Sequence, residues 1–194
     1  MANKEKAKAS IYELKITLMH IEPAIWRRLQ VEASITLARL HQIIQVVMGW
    51  ENYHMHEFRV KGSRYGMPDP GGEAMFGSKV SNEKKFKLCD IAEAGDSFVY
   101  EYDFGDGWRH EIVIEKVLSA EPGIKYPVCL EGQRACPPED CGGPWGYAEL
   151  LEILDDPGHE EYDGYREWAG EDFDPESFDF QKVNKQLEGA RSVV

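Results

Sequence analysis

The clearest pattern in the chain is an alternation of apolar and polar positions that runs through residues 98–117, on both sides of a Gly-Asp-Gly turn. Alternation of this kind predicts a β-hairpin. A three-residue loop at 105–107 would leave one face of the hairpin apolar or aromatic. This register gives three cross-strand pairs: Phe104 with Trp108, Tyr102 with His110, and Tyr100 with Ile112. The opposite face would carry Asp103 across from Arg109.

The remaining periodicity predicts strands at 11–19, 24–31 and 56–60, and a helix that starts after Thr36 and ends at Gly49. Further helices are expected at 146–155, at 160–168 and after Asp179. The order of these elements favours an α+β fold. We expect a β-grasp-like mixed sheet with a packed helix, extended by the central β-hairpin and by a C-terminal helical tail.

The chain of 194 residues is long enough for one domain. We expect a disordered N-terminus at 1–10 and a single domain at 11–194. Within it, residues 11–119 would form the sheet and helix core, and residues 120–194 a Cys/Pro/Gly-rich loop and the helical tail. Residues 62–77 read as a long loop, and residues 121–144 as irregular structure.

The net charge of −13, from 35 acidic and 22 basic residues, argues against nucleic acid as the main partner, because such binding depends on neutralising phosphates. The N-terminus has no apolar targeting segment, and no apolar run has the length of a membrane span. These features indicate a cytoplasmic protein without a membrane partner. In a reducing compartment the four cysteines would be thiols or metal ligands.

Three of these cysteines, Cys129, Cys136 and Cys141, fall within thirteen residues of a Pro/Gly-rich segment. Zinc takes four ligands in a closed structural site, or three ligands and water in an open site. His110, or one of His54 and His56, could complete a zinc site with the three cysteines. The alternative is that the thiols only pack the loop, as free cysteines commonly do.

The hairpin carries the other candidate groups. Asp106, at the turn, is a residue that often caps its own loop. In the expected register Asp103 and His110 lie on opposite faces, which argues against an acid–base pair of these two residues. The sequence contains no phosphate-binding glycine loop, GxSxG elbow or HExxH motif.

Three separated segments together resemble one family. They are YEYDFGDGWRHEI, ACPPEDCGGPWGY and the late pattern W-x-G-x-x-F-D-P-E-x-F. With the IWRR strand and the LxxLHxxIQ helix, they resemble the plasmid pRiA4b ORF-3-like family over about residues 10–188. The resemblance implies occurrence on plasmids and in transposable elements, and it supplies no catalytic residues. It marks Asp103, Asp106, Trp108, Glu139 and Asp140 as motif positions, and any site is expected in the ACPPEDCGG loop.

Three functions remain open from the sequence. The first is an accessory or interaction protein of a mobile element, without catalysis, that binds a protein or peptide between the sheet and the C-terminal helices. The second is a zinc-binding protein or metal-dependent enzyme that uses the cysteine loop. The third is a DNA-transaction protein of resolvase type, which the acidic charge disfavours.

Overall fold

The computed structural model of the protein describes residues 10–67 and 80–190. Its centre is a sheet of eight strands. The strands are β1 (Ser10–Leu18), β2 (Trp26–Glu32), β3 (His56–Val60), β4 (Ser63–Gly66), β5 (Val80–Asn82), β6 (Ser97–Tyr102), β7 (Trp108–Ser119) and β8 (Val128–Gln133). Their spatial order is β5-β4-β3-β6-β7-β1-β2-β8, and every neighbouring pair is antiparallel except β4 and β5.

Five α-helices accompany this sheet in the described ranges. They are α1 (Leu37–Met48), α2 (Leu88–Ile91), α3 (Gly143–Asp155), α4 (Tyr162–Ala169) and α5 (Phe180–Ala190). The α+β class expected from the sequence is therefore confirmed, whereas the β-grasp detail is not. None of the helices in the described part of the chain is long and apolar enough to cross a membrane.

Helix α1 begins and ends where the sequence predicts. The Thr36 hydroxyl accepts a hydrogen bond from the backbone N–H of Arg39, and Gly49 takes the left-handed conformation of a helix C-cap. The apolar positions of α1, which recur at helical spacing, are buried in the main core. The burial of this face holds α1, and with it the chain that follows Gly49, in a fixed position.

The register expected for the central hairpin is wrong by two residues. The observed pairs are Tyr102 with Trp108, Tyr100 with His110, and Phe98 with Ile112. A shift by two keeps every side chain on its predicted face, so the hydrophobic pattern is satisfied equally well. The loop lengthens to 103–107, and Arg109 lies opposite Glu101 instead of Asp103. Asp103 has a φ of 52° and leaves the strand altogether.

The segment expected to be irregular, residues 121–144, contains strand β8, which pairs with β2 at the edge of the sheet. Helix α5 covers this edge. The Asn184 amide group accepts a hydrogen bond from the Cys129 backbone N–H and donates one to its carbonyl, both at 2.8 Å. The expected N-cap of α5 is confirmed, because the Asp179 carboxylate accepts from the N–H groups of Gln181 and Lys182.

Two further expectations concern segments that the structure describes only in part. The loop predicted at 62–77 contains strand β4, and its residues 68–77 lie outside the described residues. The predicted disorder at 1–10 also falls outside them, except for Ser10, which begins β1.

Candidate functional site

Three loops meet at one end of the sheet: residues 49–55 between α1 and β3, residues 103–107 of the hairpin, and residues 134–142 between β8 and α3. The indole N–H of Trp50 donates to the Pro137 carbonyl at 3.0 Å, and the Glu51 N–H donates to the Glu139 carboxylate at 2.7 Å. The third link joins the hairpin turn to the last loop, because the Gly142 N–H donates to the Asp106 carboxylate at 3.1 Å.

His54 and two aspartates form a compact group at this junction, the His54 cluster, which consists of His54, Asp103 and Asp140. One ligand atom from each residue lies within 4.8 Å of the other two. His54 Nε2 is 3.0 Å from an oxygen of Asp140 and 3.7 Å from one of Asp103. A carboxylate oxygen of Glu139 lies 3.6 Å from the same nitrogen.

These separations suit a metal ion. Nitrogen and oxygen ligands lie about 2.1 Å from a metal such as zinc, which places neighbouring ligands ~3 to 3.5 Å apart. His54 Nε2 is shielded from solvent yet makes no hydrogen bond, although the Asp140 oxygen is near enough. An imidazole nitrogen that faces three carboxylates without a hydrogen bond is an arrangement that a divalent cation would satisfy.

The backbone of the three loops is specialised for this arrangement. Asp103 and Asp140 both have left-handed conformations, with φ of 52° and 59°, which are uncommon for residues other than glycine. One oxygen of Asp103 accepts from the Gly105 N–H at 2.9 Å, which turns the other oxygen towards His54. A Cβ atom at Gly146 would overlap the Cys141 carbonyl, so only glycine lets α3 pack against the loop that carries Asp140.

Polar side chains of α1 hold the loop of residues 49–55, which carries His54. His41 hydrogen-bonds to the Asn52 side chain at 2.8 Å, and the Gln45 side chain accepts from the Asn52 N–H at 3.0 Å. His41 also contacts the buried Tyr100 hydroxyl at 2.8 Å. The position of His54 is therefore tied to the core of the molecule.

Tyr102 orients the third carboxylate, that of Glu139. Its hydroxyl donates to Glu139 and accepts from the Tyr53 N–H at 3.0 Å. Burial, together with the nearby Glu139 charge, raises the pKa of Tyr102 to about 12, so the phenol keeps its proton at neutral pH. Glu139 is thereby held beside the His54 cluster as a hydrogen-bond acceptor.

The four metal ligands predicted from the sequence, Cys129, Cys136, Cys141 and His110, are not part of the His54 cluster. Among the described residues, His54, Asp103 and Asp140 are the potential ligands that come together as a group of three within 4.8 Å. Burial raises the pKa of Cys129 to about 11 and that of Cys141 to about 12, and it raises the pKa of Cys136 further, so all three thiols are protonated at neutral pH when no metal is bound. His110 lies within the aromatic core, next to Trp50 and Tyr100.

His54 and His56, which the sequence suggests as a pair of metal ligands, face different residues in the structure. His56 Nε2 lies 2.8 Å from the buried Glu83 carboxylate, and its ring stacks on His41 at 3.4 Å. Of the motif positions, Asp103, Glu139 and Asp140 converge on His54. Asp106 links two loops, and Trp108 is buried beside Trp50. The motif carboxylates and the loop histidine His54 could have predicted the cluster. The wrong hairpin register paired Asp103 with Arg109 and so left Asp103 out of any group with His54.

The His54 cluster borders a cleft of about 480 Å³. We call this space the α4 cleft, and it is lined by Asp140, Cys141, Glu160, Glu161, Gly164, Tyr165 and Trp168. Apolar side chains are exposed in the same loops and helices, and they are Tyr53, Met55, Phe104, Trp145 and Trp168. Asp140 belongs both to the His54 cluster and to the wall of the cleft, so the two features are continuous.

Fold and site together define an α+β protein with an eight-stranded, mostly antiparallel sheet and a histidine–carboxylate cluster at the end of its central hairpin. Residues 10–182 match the plasmid pRiA4b ORF-3-like family, and the chain belongs to this family.

Two relatives have similar lengths. The uncharacterized protein y4hQ of Sinorhizobium fredii is 42% identical over 182 residues, which cover 93% of this chain and 92% of that protein. The crystal structure of a protein of unknown function, MM3350 from Methanosarcina mazei Go1, is 42% identical and superposes with a TM-score of 0.83. That match covers 91% of this chain and 98% of the archaeal chain.

Proposed function

We propose that this protein binds a divalent metal ion through His54, Asp103 and Asp140, and that the metal acts on a ligand held in the α4 cleft. The observation that carries the proposal is the unsatisfied Nε2 atom of His54, which faces Asp103, Asp140 and Glu139 within 3.7 Å. One imidazole and two or three carboxylates suit zinc, manganese or ferrous iron.

The position of Asp140 in the wall of the cleft supports a role beyond structure. Three protein ligands leave coordination positions for water or a ligand, which is the pattern of catalytic rather than structural sites. A metal in such a site polarises a bound carbonyl or phosphoryl group and lowers the pKa of bound water. Glu139, which is held by Tyr102 and the Glu51 N–H, is placed to accept a proton from a water molecule near the cluster.

The test is a calorimetric titration of the metal-free protein with Zn²⁺ and with Mn²⁺. We expect one site per chain, and we expect His54→Ala and Asp103→Asn each to weaken binding by more than about tenfold. The matched control is His20→Asn, because His20 is exposed and Asn tolerates its left-handed backbone conformation.

A second ligand set makes the opposite prediction. If the metal is held by the cysteines, Cys136→Ala should abolish binding while His54→Ala leaves it intact. That result, or equal binding by wild type and both cluster variants, would overturn the proposal. Circular dichroism of each variant separates loss of metal from loss of fold.

The alternative function, an accessory protein with a protein or peptide partner, is favoured by one observation. Trp145 is 89% exposed at the start of α3, close in sequence to Asp140, and Tyr53 is 71% exposed next to His54. Aromatic residues of this kind are enriched in interfaces. If the alternative holds, Trp145→Ala should abolish co-purification of a specific partner from native cells without changing the melting temperature. Unchanged co-purification would contradict it.

A further inference from the structure

The α4 cleft has a chemical character of its own, distinct from that of the His54 cluster. Its walls supply three carboxylates, from Asp140, Glu160 and Glu161, and none of its lining residues is Lys, Arg or His. In the part of the chain that the structure describes, no ion pair involves Glu160 or Glu161. Arg166, on the same helix, donates instead to the Phe173 carbonyl.

Electrostatics of this kind favour a positively charged ligand. Three carboxylates on one concave surface, of which Glu160 and Glu161 have no ion-pair partner among the described residues, concentrate the negative potential there, and the whole molecule adds a net charge of −13. An anionic ligand would be repelled by both, unless a metal at the His54 cluster provided its counter-charge.

Two aromatic rings add a second kind of attraction. Tyr165 and Trp168 lie on α4 with their ring centroids 6.4 Å apart and their planes at 74°, so the cleft is lined by two differently oriented ring systems. Ring faces attract ammonium groups, and Trp does so most strongly. Because the rings also cover alkyl carbons, they favour an organic ammonium ion over a hydrated inorganic cation.

The dimensions fit a small molecule. A volume of about 480 Å³ falls in the range of small-ligand sites. Gly164 contributes to this space, because a Cβ atom added there would meet nothing within 4 Å. The Cβ atom of a larger residue at Gly164 would therefore cause no clash, and the substitution would raise the helix propensity of α4.

We propose that the α4 cleft binds a small organic cation with one or more alkylammonium groups, through the carboxylates of Asp140, Glu160 and Glu161 and the rings of Tyr165 and Trp168. This inference is independent of metal binding, because the His54 side chain is not needed for it. Where a metal is also bound, the shared residue Asp140 couples the two sites.

The experiment is a calorimetric titration of the full chain, freed of metal, with spermidine at low ionic strength. We expect saturable binding that weakens by at least tenfold in Glu160→Gln/Glu161→Gln and in Trp168→Ala. Glu167→Gln is the control for loss of a surface charge outside the cleft, because Glu167 is exposed on α4 but does not line the cleft. It should bind as the wild type does.

Two further variants keep the test decisive. Gly164→Met should abolish spermidine binding while leaving the melting temperature equal or higher, since Gly164 lines the cleft and an added Cβ atom there meets nothing within 4 Å. His54→Ala should keep spermidine affinity, which separates this inference from the metal proposal.

The inference is overturned if spermidine does not bind at millimolar concentration, or if Gly164→Met binds it as tightly as the wild type. It is also overturned if Glu167→Gln loses as much affinity as the double variant, because the attraction would then be a general effect of surface charge.

Discussion

At the scale of single residues, the candidate site consists of carboxylates from separate motifs that face one histidine. The motif residues Asp103, Glu139 and Asp140 converge on His54. Asp106 was expected to cap its own loop, but its carboxylate links two loops, and Asp103 accepts from the Gly105 N–H instead. Burial raises the pKa of Cys129 and Cys141, two of the thiols predicted as ligands. Left-handed backbone at two aspartates could not be read from the sequence, because it depends on the packing of three loops that are far apart along the chain.

Gly146 gives a test of how the Asp140 loop is held. Gly146→Ala should lower the free energy of unfolding by more than about 2 kcal/mol, since the new methyl group would overlap the Cys141 carbonyl. Gly164→Ala is the matched control, a helical glycine with open space around it, and it should be neutral or up to about 1 kcal/mol more stable. Urea denaturation of both variants measures the difference. Equal stability of the two would show that the close approach at Gly146 is not needed.

His110 gives a test of the buried hairpin face. Burial lowers the pKa of His110 to about 3, whereas the unfolded chain has a value near 6.5. Between these values the unfolded state binds more protons, so stability rises with pH and is lost on acidification below pH 6.5. His110 alone contributes up to about 1.4 kcal/mol per pH unit in this window.

The measurement is guanidinium denaturation at several pH values between 5 and 7. His110→Phe should flatten the slope of stability against pH, while His20→Asn should leave it as in wild type, because His20 is exposed. Part of the slope should persist in His110→Phe, since burial also lowers the pKa of His41 to about 4. An unchanged slope in His110→Phe would contradict a buried neutral imidazole.

At the scale of elements, periodicity predicted the strands and helices better than their pairing. The ends of α1 and the N-cap of α5 follow from Thr36, Gly49 and Asp179, which act locally. The predicted register of the hairpin was wrong because a shift by two residues keeps the same side chains on the hydrophobic face. Strand β8 was missed because its signal lies within a stretch rich in Pro, Gly and Cys, and because its pairing with β2 is set by tertiary structure.

Asn184 tests how the edge of the sheet is protected. Its amide group hydrogen-bonds to both the backbone N–H and the carbonyl of Cys129 on the outer side of β8. Asn184→Ala should lower the free energy of unfolding by about 1 to 3 kcal/mol, because both backbone groups lose their partner. It should also promote aggregation through the exposed strand edge.

Thermal denaturation and light scattering provide the two readouts. Gln186→Ala, a change on the exposed side of the same helix, is the control and should alter neither. If Asn184→Ala unfolds and scatters light as the control does, α5 does not protect β8 through this side chain.

At the scale of the whole molecule, the order of the strands in the sheet brings the loops of the candidate site together. Strands β3, β6 and β7 are neighbours, so the loops that precede β3 and join β6 to β7 lie side by side. The loop after β8 reaches them from the far edge of the sheet and is fixed by the Trp50–Pro137 and Glu51–Glu139 hydrogen bonds. Sequence spacing alone favoured the three cysteines as ligands, because they are close along the chain, whereas the His54 cluster joins residues from three separate loops.

Metal binding should stabilise the whole molecule, because an ion that binds the folded state alone shifts unfolding by mass action. At a concentration of Zn²⁺ one hundred times the dissociation constant, the gain is about 2.7 kcal/mol. The melting temperature of the wild type should therefore rise with Zn²⁺, and that of His54→Ala should not. A similar rise in His54→Ala would place the metal elsewhere.

The most direct test of the central claim is the absorption spectrum of the protein loaded with Co²⁺ in place of the native metal. Ligation by His54, Asp103 and Asp140 predicts weak visible bands, no intense sulfur-to-cobalt charge-transfer band in the near ultraviolet, and loss of the visible bands in His54→Ala. An intense charge-transfer band that disappears in Cys136→Ala, or a protein that binds no Co²⁺, would contradict the proposed site.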